Sequence, residues 1–277
     1  MEKIHIERNT VQETLVIPLK ARKICTESFG DFFTDRKAIE LMDRLDYDFG
    51  SKKPGYAQRF AALEVAARQK DCAWEVREYL KAHPRATVVN LGCGLDQTAE
   101  ACDNGTCQIC NVDLPDIIAI RNRLIPPADR VTNVAGDLNN PDWFRSIPME
   151  NGAIFFATGV FYYFSREQMQ KLINDMAEYF PGGVLVFDVC GKVATKVGVK
   201  GWVKQAGIDV EFNPFYVVNL DRDINPWLKH AKASTRGYML GYFDLREKSI
   251  GGFSRFLAKV ADRIMKTQIL KFEFDPA

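Results

Sequence analysis

The stretch from Thr87 to Asp113, TVVNLGCGLDQTAEACDNGTCQICNVD, constrains the fold of this 277-residue chain more than any other part. It begins with a β-favouring run at 87–91, turns through Gly92-Cys93-Gly94, and continues into a segment that can begin a helix. A strand, a glycine turn and a helix in that order bring backbone N–H donors close to a ligand, because glycine has no Cβ in the way. The sequence therefore predicts a nucleotide-binding loop at residues 92–94.

An acidic residue ends a second predicted strand beyond this loop. Asp113 follows Gly92 by 21 residues, after the strand-like run at 107–112. At that spacing a carboxylate can accept hydrogen bonds from both hydroxyls of a ribose. A dinucleotide would also need a third glycine, and Gln97 occupies that position, which favours S-adenosylmethionine over NAD. The alternative is that the glycines only form a tight turn and that Asp113 caps the next helix.

Helix-like and strand-like segments then alternate along the chain. They are predicted at residues 117–120, 131–135, 153–157, 166–180 and 184–189. Such alternation is typical of a parallel sheet with helices on both faces, where ligands bind at the carboxyl ends of the strands. Asp137 and Thr158 fall at two of those ends. Asp137 could contact an adenine amine, or it could only cap a turn.

The two ends of the chain are predicted to add elements to this core. Helices are expected before residue 84, and Pro84 ends the last of them. Beyond residue 190 the predicted elements are a strand at 215–220, a loop-rich stretch at 225–244, a helix at about 253–266 and a strand at 267–274. Lysines at every fourth position from Lys192 to Lys204 would form a basic stripe on a helix, either a solvated face or a surface that steers an anionic substrate.

The composition limits the classes of partner. With 37 Lys+Arg against 36 Asp+Glu, the chain has no excess of positive charge for a broad nucleic-acid surface. The longest apolar run, at 153–164, is too short to span a bilayer, and the amino terminus lacks the apolar core of a signal peptide. Seven cysteines, an odd number, fit a reducing compartment. We therefore predict a soluble, cytoplasmic protein that contacts neither membrane nor nucleic acid.

Cys107-x-x-Cys110 could suggest a metal or redox pair. However, no histidine is near it, and a zinc site normally needs a second pair of ligands. Strand residues three apart also point to opposite faces. We predict no metal.

Several motifs together resemble a known family. The segments VVNLGCGLD and VDLPDII, with GYAQR before them and FPGGVLVFDV after them, are similar to those of the leucine carboxyl methyltransferase and polyketide O-methyltransferase superfamily. TLVIPLKAR, LDYDFGSKK and STRGYMLGY are similar to its polyketide-type branch. The resemblance implies an α/β, Rossmann-like class I methyltransferase fold, with a seven-stranded, mostly parallel sheet whose last strand is antiparallel. It implies one domain over 1–277, made of an N-terminal helical cap (1–84), a cofactor-binding core (85–190), and an insert after the fifth strand with the C-terminal strands (191–277).

The resemblance also implies a set of site residues for S-adenosyl-L-methionine. Arg59, within GYAQR, matches an arginine that pairs with the cofactor carboxylate, and Arg22 matches a second basic residue at that end. The full implied set for the cofactor is Arg22, Arg59, Gly92, Cys93, Gly94, Asp96, Asp113, Leu114, Asp137, Leu138 and Thr158. On the side of the methyl acceptor, the candidates are Thr158, Tyr162 and Tyr163.

Two positions depart from the family pattern. Thr158-Gly159 stands where the family usually has Glu-Gly, which removes an acidic group near the cofactor. Leu95-Asp96-Gln97-Thr98 stands where the family usually has Leu-Asp-Thr-Arg, which removes a basic residue beside the glycine loop.

The chemistry favours an ionised methyl acceptor. Methyl transfer from a sulfonium depends on alignment and desolvation, and the leaving thioether needs no proton. A carboxylate is already ionised at neutral pH, whereas a phenol would benefit from a base, and His230 is the one histidine outside the N-terminal part. We predict an O-methyltransferase for a carboxylate or acidic hydroxyl of a small, polyketide-like metabolite. The alternatives are a cofactor-binding protein that has lost activity, which Thr158 motivates, and a nicotinamide oxidoreductase.

Overall fold

A computed structural model describes residues 3–8, 10–195 and 215–276. The strands are β1 (Ile4–His5), β2 (Leu45–Asp46), β3 (Thr87–Leu91), β4 (Gln108–Asp113), β5 (Val131–Ala135), β6 (Ala153–Ala157), β7 (Val184–Val189), β8 (Ala231–Gly237) and β9 (Gln268–Phe274). The α-helices are α1 (Val16–Ser28), α2 (Arg36–Asp43), α3 (Tyr56–Ala82), α4 (Thr98–Ala101), α5 (Pro115–Leu124), α6 (Arg166–Tyr179), α7 (Lys192–Ala194), α8 (Leu220–Asp223) and α9 (Gly252–Val260). Short 3-10 turns lie at Val11–Leu15, Pro141–Ser146, Phe161–Tyr163 and Asn225–Trp227, and a π-helical turn lies at Ala261–Met265.

Strands β3 to β9 form one seven-stranded sheet in the order β5-β4-β3-β6-β7-β9-β8. The first five strands in that order are parallel, and β9 runs antiparallel to both of its neighbours. The expected seven-stranded, mostly parallel sheet with an antiparallel last strand is confirmed. The strand order reverses between β3 and β6, and this is the position where doubly wound sheets bind ligands.

The central strands are apolar because helices cover both faces of the sheet. β3, β6 and β7 are buried along their whole length. On one face Val88 packs in a core with Ala66 of α3, and on the other face Val89 packs in a core with Ile173 of α6. Cys107 and Cys110 belong to these two different cores, so their side chains do not converge.

The helices before residue 84 pack on one face of the sheet and against the glycine loop. α3 is continuous over 27 residues and ends just before Pro84. A third core joins Leu15 and Leu19 from the N-terminal part to Leu95 of the loop and to Ile117 of α5. The N-terminal segment therefore packs over the loop, in part through apolar contacts.

The prediction of a strand at 215–220 is wrong. No strand is assigned at 215–219, and the short helix α8 begins at Leu220 because Asp223 binds the preceding backbone. Its carboxylate accepts hydrogen bonds from the N–H groups of Val218 and Asn219, at 2.8 and 3.0 Å. The stretch expected to be loop-rich contains β8, a largely exposed edge strand with no apolar run to signal it. The predicted lysine stripe at 196, 200 and 204 lies outside the described residues.

Candidate active site

A cavity of about 400 Å³ lies at the carboxyl ends of the parallel strands. Its walls come from the residues that follow β3, β4, β5 and β6, together with side chains from the N-terminal helices. The sequence-predicted residues that line it are Arg22, Gly92, Cys93, Gly94, Asp96, Asp113, Leu114, Asp137, Leu138, Thr158 and Tyr163. Residues separated by up to 141 positions in the chain are thus brought to one site.

Two positions of the glycine loop strongly favour glycine. Gly92 and Gly94 have φ values of +61° and +46°, which L-residues with a Cβ rarely adopt. A Cβ at Gly92 would lie 2.5 Å from Cγ2 of Val160, and one at Gly94 would lie 3.0 Å from Cδ2 of Leu15. Both positions therefore have close packing on the side where a side chain would project.

Asp113 is held by the loop and by the start of α5. Its Oδ2 accepts a hydrogen bond from the N–H of Gly94 at 2.7 Å, and its Oδ1 accepts one from the N–H of Leu114 at 2.8 Å. Burial raises the pKa of Asp113, and these two hydrogen bonds act in the opposite direction. Each carboxylate oxygen has a second lone pair, so the fixed carboxylate can still accept hydrogen bonds from a ligand in the cavity.

Asp137 both forms a turn and lines the cavity. Its Oδ1 accepts hydrogen bonds from the backbone N–H and the side-chain amide of Asn139, at 2.9 and 3.0 Å. The side chain is exposed, and both residues lie in the cavity wall. The two sequence interpretations of Asp137 are therefore compatible with each other.

Arg22 and Asp96 form a buried network between α1 and the glycine loop. Nη1 of Arg22 donates to Asp35 at 2.9 Å and to Asp96 at 3.3 Å, and Nη2 donates to the carbonyl of Leu95 at 3.3 Å. Asp96 also accepts a hydrogen bond from Gln69 of α3 at 2.8 Å. Two carboxylates therefore offset the charge of Arg22, and both of its Nη groups donate to acceptors within the protein.

Arg121 supports the same loop from α5, and the sequence analysis missed it. Its side chain is fully buried, and Nη1 donates to the carbonyls of Gly94 and Asp96 at 2.9 and 2.6 Å. Nη2 donates to Glu100 at 2.7 Å. The available signal was an arginine directly after the apolar run of a predicted helix, where an unpaired charge would be costly if the helix is buried.

Arg68 of α3 is a second residue that the sequence analysis missed. Its Nη1 donates to Oδ2 of Asp188 at 2.8 Å, and Oδ1 of Asp188 accepts a hydrogen bond from the N–H of Gly159 at 2.6 Å. Burial disfavours the charge of Arg68, but Asp188 offsets this and the pKa of Arg68 is raised. The available signal was Asp188 within an otherwise apolar strand, because such a carboxylate requires a cationic partner.

Arg59, which GYAQR leads us to expect at the cofactor carboxylate, does not line the cavity. Its side chain is exposed, and its guanidinium lies 6.0 Å from the ring of Tyr56. Arg59 and Arg68 are nine residues apart on α3. A helix turns by about 100° per residue, so the two arginines point about 180° apart. Because Arg68 faces the cavity, Arg59 faces solvent.

Tyr162 does not line the cavity either, whereas its neighbour Tyr163 does. The two tyrosines point in different directions within a 3-10 turn, and the hydroxyl of Tyr162 lies 3.2 Å from Sγ of Cys190. Burial raises the pKa of Tyr162. Of the three acceptor-side candidates, Thr158 and Tyr163 therefore remain.

The three histidines all lie away from the cavity. His5 is 3.3 Å from Asp46, His83 stacks on Tyr79, and His230 is exposed just before β8. Among the described residues, no group of three or more His, Cys, Asp or Glu side chains could hold a metal ion. No helix in the described part of the chain is long and apolar enough to cross a membrane.

Comparison with known proteins agrees with this arrangement. The sequence pattern of the leucine carboxyl methyltransferase family matches residues 11–177, which include the N-terminal helices, the glycine loop and strands β3 to β6. The chain belongs to the leucine carboxyl methyltransferase family. The expected family is thereby confirmed.

A relative in this family has a named role. The chain is 31% identical over 179 residues to the tetracenomycin polyketide synthesis O-methyltransferase TcmP of Streptomyces glaucescens. The alignment covers 64% of this chain and 65% of TcmP, slightly less than two thirds of that relative's length.

Solved structures share the fold at low sequence identity. A DUF574 family protein from Streptomyces avermitilis has a TM-score of 0.54 at 12% identity, covering 91% of this chain and 100% of its own. The plantazolicin methyltransferase BamL, solved with a triazolic desmethylPZN analogue and SAH, has a TM-score of 0.52 at 11% identity, covering 96% of this chain and 99% of its own. These similarities confirm a Rossmann-like methyltransferase fold.

Proposed function

We propose that this chain is an S-adenosylmethionine-dependent O-methyltransferase that acts on a carboxylate or an acidic hydroxyl of a small, polyketide-like molecule. The observation that carries the proposal is the pairing of the glycine loop with Asp113 in one cavity. The loop brings backbone close to a ligand, and the carboxylate beside it has lone pairs left to accept ribose hydroxyls. The likeness to TcmP supports the choice of an oxygen acceptor.

The residues at the carboxyl ends of the strands occur in the same order as the parts of this cofactor that they would bind. Neighbouring strands are about 4.8 Å apart, so the distance from the carboxyl end of β5 to that of β3 is roughly 10 Å. Asp137 and Leu138 follow β5 and would hold the adenine. Asp113 ends β4 and would bind the ribose, and the glycine loop after β3 would hold the methionine portion. A dinucleotide fits less well, because Gln97 precedes α4 where a third glycine would be required.

When bound, S-adenosylmethionine supplies a methyl group on a sulfonium, and a new O–C bond forms as the S–C bond breaks with its electron pair left on sulfur. The protein residues bind the acceptor, orient it and exclude water. Thr158 and Tyr163 line the cavity beyond the glycine loop, and Phe164 closes the same wall with 8% of its surface exposed. Thr158 is uncharged, so it does not repel an anionic acceptor as a glutamate would. A carboxylate needs no general base, which suits a cavity that no histidine lines.

The second candidate is a protein that binds S-adenosylmethionine without transferring its methyl group. The observation that favours it is Thr158, which stands where the family usually has an acidic residue.

We also propose that residues 1–277 work as one domain in the cytoplasm. The seven cysteines are free thiols, which suits a reducing compartment.

Two measurements test the proposal. Calorimetry should show that S-adenosylhomocysteine binds and that NAD does not. Incubation of the protein with trideuteromethyl-labelled S-adenosylmethionine and a metabolite extract should then yield a labelled product by mass spectrometry, and Asp113→Ala should yield much less. Release of the label by mild alkali would identify a methyl ester, whereas an ether would resist. Binding of S-adenosylhomocysteine with no labelled product would favour the second candidate, and equally tight binding of NAD would overturn the proposed function.

A further inference from the structure

Helix α9 and the π-helical turn after it present large apolar side chains to solvent. Phe253 and Phe256 are 61% and 59% exposed, and Ile264 is 67% exposed. An amphipathic helix on a globular protein normally does the reverse, because burial of its large apolar side chains stabilises its packing. Here the buried residues are small, namely Ser254, Ala258 and Ala261.

These apolar side chains form a continuous surface. Phe253 and Ile264 lie on one face of the helix with two half-buried residues between them, Leu257 and Val260. Tyr56, at the start of α3, is 40% exposed, and its ring lies 5.4 Å from that of Phe253. A contiguous exposed group of this kind marks an interaction site, whereas single exposed apolar residues do not. We call it the apolar patch, and its members are Tyr56, Phe253, Phe256, Leu257, Val260 and Ile264.

The exposed charged side chains beside the apolar patch are basic. Arg255, Lys259 and Arg263 recur every four residues, and none of them forms an ion pair within the described residues. The exposed Arg59 lies 6.0 Å from the ring of Tyr56. The one acidic residue at 252–265 is Asp262, whose carboxylate accepts hydrogen bonds from two backbone N–H groups at 3.0 and 2.8 Å. This surface therefore combines apolar groups with positive charge.

That combination favours a lipid bilayer over other molecules that could cover the patch. Helices that lie in the bilayer interface carry Phe and Leu on one side and Lys or Arg on the other, and anionic headgroups attract the basic side. Two copies of this chain would bring the same basic residues together across a symmetric interface, which costs free energy. Residues 196–214 contain three lysines and two acidic residues, so their charge does not complement the patch either.

The high exposure of the aromatic side chains separates a bilayer from an acidic protein. Side chains such as Phe253 and Phe256, about three fifths exposed, stand out from the surface. A folded protein partner would need pockets that match them, whereas a fluid bilayer accepts protruding side chains without a preformed complement.

We propose that the apolar patch and the basic residues beside it bind the surface of an anionic lipid bilayer. The inference goes beyond the proposed function and departs from the sequence-based prediction of no membrane contact. That prediction rested on the overall charge and on the length of the apolar runs, and neither shows how side chains are distributed around one helix.

The position of the patch relates it to the cavity. Tyr56 begins α3, and Val65 of the same helix lines the cavity. Nine residues of α-helix span about 14 Å, so a bilayer at the patch would lie close to the cavity. An apolar methyl acceptor could then pass from the bilayer to the cavity, although binding to the bilayer does not depend on methyl transfer.

Vesicle flotation with the full chain tests the proposal. The wild type should bind vesicles of phosphatidylcholine with phosphatidylglycerol roughly tenfold more tightly than vesicles of phosphatidylcholine alone, and added salt should weaken this binding. Phe253→Ser/Phe256→Ser should bind both kinds of vesicle about tenfold less tightly or worse, because less apolar surface enters the bilayer. Lys259→Glu/Arg263→Glu should abolish the preference for anionic vesicles.

Tyr179→Ser is the matched control. Tyr179 is also an exposed aromatic residue, at 43%, but it belongs to α6, on the other face of the sheet. This variant should bind like the wild type. No flotation of the wild type would overturn the inference, and so would equal flotation of the wild type and both double variants. Neither result concerns S-adenosylhomocysteine binding, so the proposed function would stand.

An environment-sensitive dye on Phe256→Cys identifies what covers the patch. Acrylodan at this position should shift its emission to the blue when anionic vesicles are added, and wild type treated with the same dye gives the background. A blue-shifted emission without vesicles would overturn the inference. If that emission depends on protein concentration, a second copy covers the patch, and if it does not, another part of the same chain does. Binding of poly-L-glutamate without flotation would instead assign the patch to an acidic protein.

Discussion

Gly159→Ala tests whether Asp188 holds the Arg68 guanidinium rigidly. Gly159 has a φ of +74°, and its missing Cβ would lie 2.6 Å from Nη2 of Arg68. Gly182 offers a matched control, because its φ is +73° and no atom of the described residues lies within 4 Å of the position of its Cβ. Alanine at either position suffers the same backbone strain, about 1–2 kcal/mol. The difference between the two variants therefore isolates the contact with Arg68.

The size of that difference depends on the ion pair. The end of a free arginine side chain would move aside at little cost, but this one is bound to a carboxylate that is 1% exposed. Breaking a buried ion pair completely costs about 3–5 kcal/mol. A displacement of the guanidinium should lose part of that amount, so we expect Gly159→Ala to be less stable than Gly182→Ala by about 2 kcal/mol or more.

Urea unfolding of the wild type and both variants would measure these free energies from the midpoints at a constant m-value. We expect the order of stability to be wild type, then Gly182→Ala, then Gly159→Ala. If both variants lose the same free energy of unfolding, Arg68 moves aside without cost and Asp188 does not hold its guanidinium rigidly.

Three further predictions concern single side chains. Asp113→Ala should weaken the binding of S-adenosylhomocysteine by about 1–3 kcal/mol, because it leaves ribose hydroxyls unpaired; unchanged affinity in a folded variant, measured by calorimetry, would remove Asp113 from the site. Arg59→Ala should leave that affinity unchanged, because Arg59 is exposed outside the cavity, and a tenfold loss or more would restore the family expectation. Asp71 is fully buried with no partner on either carboxylate oxygen within the described residues, and burial and then Asp262 raise its pKa from 3.8 to about 9. The folded pKa exceeds the unfolded one, so stability of the wild type falls as pH rises between these two values. Asp71→Asn should remove this loss of stability with rising pH, and it should stabilise the protein at pH 7 by up to about 4 kcal/mol. Thermal unfolding at pH 4 and pH 8 measures the effect, and an equal change in stability between the two pH values in both proteins would contradict the prediction.

Local sequence was enough to locate the buried strands and the glycine loop. β3, β6 and β7 are buried along their whole length, and they begin and end at the residues expected from the sequence. A strand that is buried on both faces is a short apolar run between turn residues, so its bounds are visible without any partner. The glycine loop and Asp113 were visible for a related reason, since backbone geometry and carboxylate position both follow from short-range spacing.

Tertiary structure decided the features that depend on a distant partner. β8 is a polar edge strand, and only its pairing with β9 makes it a strand. Arg68 and Asp188 are 120 positions apart, and no local pattern joins them. Tertiary packing also decides which of Arg59 and Arg68 faces the cavity. A helix pattern shows which residues share a face, but it does not show which face packs beside the cavity. Helix α3 could present either arginine until its alanine-rich face packed against the sheet.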